Sequence, residues 1–85
     1  MAFNIRFAKP KDVAGIMQLI HELAVYENEP EAVDIDEAYL LKQGFGVDKA
    51  FSCFVAENDN DEVLGMALFY RRFSTWKGVS IHLED

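Results

Sequence analysis

The first seven residues already show a period of two: Phe3, Ile5 and Phe7 alternate with Asn4 and Arg6, which predicts a strand with one face in the core. The period then changes. Pro10 suits a first helical turn, where a missing N–H costs nothing, and Asp12 follows at the positive end of the helix dipole. A helix is therefore expected from about residue 10. Its apolar positions Val13, Ile16, Met17, Ile20, Leu23 and Ala24 keep the three-four spacing of a buried stripe, with Lys11, Gln18 and Glu22 towards water. Asn28-Glu29-Pro30 ends it, and Asp34 or Asp36 can cap a shorter second helix carrying Ala38, Tyr39, Leu40 and Leu41. Gly44 or Gly46 is expected to close that helix in the left-handed conformation.

From Phe51 to Glu57 both alternating sets are largely apolar, Phe51, Cys53 and Val55 against Ser52, Phe54 and Ala56. That predicts a central strand covered on both sides. The polar run Asn58-Asp59-Asn60-Asp61 separates it from a third strand, Val63 to Tyr70, so the two should form an antiparallel hairpin. Gly65 inside the third strand suggests a bulge or a close backbone approach. Val79 to Leu83 begins a fourth strand. The order strand, helix, helix and three antiparallel strands is an α+β layout, with helices packed on a sheet.

At 85 residues the chain supports one small domain whose core gains from any further burial. The single cysteine, Cys53, excludes an intramolecular disulfide, and no Cys or His pairing has the spacing of a zinc site. A cytoplasmic setting is expected, since neither a leader pattern nor a run of some 18 apolar residues is found. The formal charge of −7 argues against nucleic acid, which needs a basic surface, and suits a cationic ligand. Many of the acids lie between Glu27 and Glu37, where a solvated connection is the plainer reading.

Few residues invite chemistry. His21 sits beside the polar side of the first helix and reads as a surface residue near the negative helix terminus. Tyr26, at the exit of that helix, can bury its ring and offer its hydroxyl at a cleft rim. Asn58 to Asp61 lacks the glycine and the distal Glu of a calcium loop. Glu84 and Asp85 are adjacent, so on an extended strand they point to opposite faces and cannot share one task.

Taken in order, Ile5-Arg6 with Asp12, Leu19-Ile20-His21-Glu22-Leu23-Ala24-Val25-Tyr26-Glu27, Gly44-Phe45-Gly46, Cys53-Phe54-Val55-Ala56-Glu57, Gly65-Met66-Ala67-Leu68-Phe69-Tyr70, Ser74-Thr75-Trp76 and Leu83-Glu84-Asp85 resemble a known family. The chain resembles the N-terminal half of a GNAT-superfamily acetyltransferase, of the diamine (spermidine/spermine-like) group. The resemblance implies a single partial domain over residues 1–85, carrying the acceptor side of the fold. It also implies transfer of an acetyl group from acetyl-CoA to a primary amine. An ammonium is no nucleophile, so the amine must first lose a proton near a carboxylate or through ordered water. By the resemblance that role maps onto Glu84, with Trp76, Asp85 and Tyr26 as further substrate contacts. An aromatic face such as Trp76 can also attract an ammonium.

Two departures bear on the substrate. Ser74 stands where polyamine-acetylating members carry an Asp, and Arg71 and Arg72 add positive charge near the same loop. They favour a small diamine or a lysine-like amine, thialysine included, over a long polyamine. The family's Gly-rich acetyl-CoA pyrophosphate loop and its general-acid Tyr are absent from these residues. The expected partners are a small amine, by the resemblance, and a second copy of the chain as a homodimer or strand-swapped oligomer, through the apolar edge of the Val79 to Leu83 strand. The rival reading is a non-catalytic module that associates through an exposed C-terminal strand.

Overall fold

The computed structural model describes residues 3–84. Strand β1 (Phe3–Phe7) leads through a 3-10 turn (Pro10–Asp12) into helix α1 (Val13–Tyr26). A second 3-10 turn (Pro30–Ala32) precedes helix α2 (Glu37–Phe45), and strands β2 (Ser52–Asn58), β3 (Val63–Ser74) and β4 (Gly78–Leu83) complete the chain. The four strands form one antiparallel sheet in the order β1-β2-β3-β4. Both helices lie on the same side of it, because Val13, Ile16, Met17 and Leu40 form one buried cluster with Cys53 and Val55 of β2. Burial of this apolar stripe, rather than helix propensity, holds α1 in place.

Several local signals act as the sequence suggests. The Asp36 carboxylate accepts the Tyr39 amide at 2.8 Å and caps α2. In the β2-β3 turn Asn58 Oδ1 accepts the amides of Asn60 and Glu62, and Asp61 takes the left-handed conformation at φ 60°. The ladder slips between Ala56 and Glu57, which face Gly65 and Val63, so the bulge falls beside Gly65.

Three expectations are corrected. Phe3, Ile5 and Phe7 do not face the core: they are 61%, 65% and 61% exposed, and Asn4 and Arg6 are the residues of β1 on the helix side. A period of two separates the faces of a strand but does not say which one meets the helices. Strand β2 is central in the sheet yet covered by helices on one face only. Its other face stacks Phe54 between Phe7 at 4.2 Å and Phe69 at 5.7 Å, measured between ring centroids. Finally, neither glycine closes α2 in the left-handed conformation. Gly44 lies inside the helix, where a Cβ would run into the Phe51 ring, and Gly46 has φ −82°. Close packing, rather than backbone freedom, accounts for Gly44.

Register assigns the large apolar side chains of the open face, among which Arg71 also lies. Phe7 pairs with Phe54 and Phe54 with Ala67, while Arg71 pairs with Ile81 and Phe73 with Val79. Directly paired residues share a face. Phe3, Ile5, Phe7, Phe54, Phe69 and Phe73 therefore join Val79, Ile81 and Leu83 on the side away from the helices.

Candidate functional site

The helix side of the sheet is held to β1 by one ionic network. Arg6 donates to both Asp12 oxygens at 2.7 and 2.9 Å, and its Nε and Nη2 donate to the two Glu57 oxygens at 2.9 Å each. Asp12 is 4% exposed and also accepts the Lys9 amide at 2.7 Å, so one carboxylate anchors the start of the first helical turn and the strand before it. The Arg6 hydrogen bonds hold the carboxyls of Asp12 and Glu57 below their usual range, and the Arg6 guanidinium is pushed up in turn. Sequence reasoning did not join these three residues. The signal was present all the same, since Arg6, Asp12 and Glu57 each sit in one of the segments that carry the family resemblance.

Glu84 follows β4. Its amide donates to the Leu68 carbonyl at 2.8 Å, which continues the β3-β4 ladder and places Glu84 on the face shared with Leu68. There it lines a recess of about 330 Å³ between the sheet and the helices. Ile20 of α1, Tyr39, Leu40 and Gln43 of α2, and Phe51 ahead of β2 form walls of the same recess. The lining is mainly apolar, and Glu84 is its only charged group among the described residues. A solvated carboxylate on an otherwise apolar wall can hold a cation and accept a proton from it.

The other candidates lie elsewhere. Trp76 is 93% exposed in the β3-β4 turn, where its backbone amide and that of Lys77 donate to Ser74 Oγ. Ser74 pairs with Gly78 beside that turn, whereas Glu84 bonds to Leu68, six residues down the strand. At a strand rise of roughly 3.3 Å per residue, Trp76 and Glu84 stand on the order of 20 Å apart. Tyr26 is 85% exposed at the end of α1, so its ring is not buried at a cleft rim. His21 is exposed, as its place beside the polar side suggests. Asp85 lies outside the described residues.

No group of three His, Cys, Asp or Glu suited to a metal occurs among the described residues, and no helix there is long and apolar enough to cross a membrane. Neither helical start offers a phosphate cradle. The Lys9 amide is taken by Asp12 and the Tyr39 amide by Asp36, and a carboxylate at each start would repel a pyrophosphate. These two helical starts therefore do not suit the pyrophosphate of acetyl-CoA.

Against known proteins the chain is 43% identical over 93 residues to a thialysine N-epsilon-acetyltransferase of Bos taurus, covering 100% of this chain and 55% of that protein. It is 38% identical to a human spermidine/spermine N(1)-acetyltransferase-like protein 1, over 98% of this chain and 13% of that one. The chain is homologous to the N-terminal region of GNAT-type acetyltransferases. It spans about half the length of the thialysine acetyltransferases it matches. No family model matches it. A solved structure described as a possible acetyltransferase from Clostridium difficile 630 superimposes with a TM-score of 0.63 at 20% identity, over 100% of this chain and 56% of that one. The GNAT-type α+β fold of this region is thus seen in three dimensions, with Glu84 just after its last described strand.

Proposed function

We propose that the chain supplies the acceptor side of an N-acetyltransferase acting on a primary amine of a small diamine or lysine-like substrate. Glu84 carries this reading, as a lone carboxylate on the apolar recess beneath the helices. In it Glu84 holds the substrate ammonium and takes its proton, directly or through water, leaving a neutral amine. The acyl donor of the reaction is acetyl-CoA, whose pyrophosphate the starts at Asp12 and Asp36 do not suit. Names of the curated relatives point the same way, towards thialysine and spermidine or spermine.

The test is acetyl transfer to thialysine by an extended polypeptide that continues past Asp85. Glu84→Gln should lower turnover by roughly 10²-fold or more, the range removed with a general base. His21→Ala should leave it nearly unchanged. Equal effects would remove Glu84 from the mechanism.

A second reading is supported by a separate observation. The sheet face opposite the helices exposes Phe73, Val79, Ile81 and Leu83, and β4 is an edge of the sheet formed by the described residues. An apolar face of this kind beside an unpaired edge suits association, as a homodimer, a strand-swapped oligomer or a non-catalytic module.

A further inference from the structure

The recess beside Glu84 has more chemistry than one carboxylate requires. Ile20, Leu40, Phe51 and Leu68 are among its apolar lining residues, and its described polar residues besides Glu84 are Tyr39 and Gln43. Tyr39 and Gln43 are four residues apart on α2, so they stand one turn above the other on one helix face. Tyr39 is exposed and Gln43 half-buried, and neither is hydrogen-bonded through its side chain to another described residue. At about 330 Å³ the recess lies at the small end of ligand-sized pockets. It holds on the order of ten water-sized volumes of about 30 Å³, enough for an amine of six or seven heavy atoms.

We infer that this recess seats the alkyl chain of the acceptor, and that Tyr39 and Gln43 set which amine fits. The inference rests on the acceptor-side reading above and extends it to the part of the substrate that does not react. An ammonium stays at Glu84, where water still reaches the carboxylate. The methylenes behind it lie on Leu40, Leu68 and Phe51, where each removes apolar surface from water. A polar nitrogen in mid-chain would have to leave water among those three side chains with only Gln43 and Tyr39 to receive it, which is costly. Selection is therefore for an uninterrupted apolar stretch behind the reacting amine, and against chains that place a nitrogen there.

Direct amine binding to the 85-residue chain tests this without any acetyl transfer. Backbone amide shifts are followed while propylamine, pentylamine, 1,5-diaminopentane and diethylenetriamine are titrated at 0.15 M salt, a level that suppresses long-range attraction to the acidic surface. Pentylamine should bind with a dissociation constant on the order of 1 mM or tighter, shifting Tyr39, Gln43, Phe51, Leu68 and Glu84. Affinity should fall about fourfold for each methylene removed. The isosteric diethylenetriamine should bind at least tenfold more weakly than 1,5-diaminopentane. Gln43→Trp, which fills the recess, should abolish the shifts, and Glu84→Gln should weaken them tenfold. Equal affinity along the series, shifts confined to other segments, or no shifts in the unsubstituted chain would overturn the inference. Should the amines bind as described while the extended polypeptide fails to acetylate them, the enzymatic reading falls and the alkyl seat remains. If acetylation proceeds with no footprint here, the reverse holds.

Discussion

Replacing Asp12 by Ala tests the network that ties β1 to the start of α1. Asp12 is almost wholly buried and accepts three hydrogen bonds, two from Arg6 and one from the Lys9 amide. Arg6 is partly exposed and would keep Glu57, so it is not left as an unpaired buried cation. Charged hydrogen bonds to such a group contribute roughly 2 kcal/mol, and loss of the amide acceptor at the first turn costs about 1 kcal/mol more. The total is about 3 kcal/mol. At roughly 2.1 cal/mol/K per residue, 85 residues have an unfolding entropy near 0.18 kcal/mol/K, so the midpoint should drop by about 17 °C. The acid limb gives an independent check. Arg6, chiefly, holds the folded Asp12 carboxyl below its unfolded value, so its contribution is complete above about pH 4 to 5 and is lost as pH falls through the lower folded value. Thermal melts from about pH 7 to about pH 2 should show a flatter acid limb for Asp12→Ala, with the Glu57 contribution remaining. A variant that melts within 4 °C of the parent, or that loses stability in acid to the same extent, would show that the network is not holding α1 to β1.

Calorimetry of the 85-residue chain with acetyl-CoA should give no useful binding, because Asp12 and Asp36 occupy the helical starts; micromolar affinity would refute this. Light scattering at several concentrations should find a dimer or larger species that Ile81→Lys shifts towards monomer, since Ile81 lies on the open apolar face of the edge strand. A folded monomer at every concentration would count against association through that face. Cys53 is buried and its thiol pushed up to about 11, so labelling at pH 8 should run at least tenfold slower than for an unfolded control. Equal rates would place the thiol at the surface.

The order of elements, the stripe of α1 and the Asp36 cap were legible because each rests on residues close in sequence: a three-four spacing, a proline, a carboxylate three positions before an amide. The hairpin at Asn58 was legible for the same reason. The outward turn of Phe3, Ile5 and Phe7 was not, since alternation defines two faces and only the packing of α1 and α2 chooses between them. Gly44 misled because glycine has two uses, and the approach of Phe51 from outside the helix is a tertiary fact. The site divides in the same way. Glu84 could be singled out from its neighbours and from the family resemblance, but its place on the helix side comes from pairing with Leu68 on another strand. Its separation from Trp76 comes from the length of the β3-β4 hairpin, and the union of Arg6, Asp12 and Glu57 from a register that joins residues as far apart as 51 positions. Local sequence set the conformation of each segment; contacts across long separations decided which faces met, and those faces are where the chemistry lies.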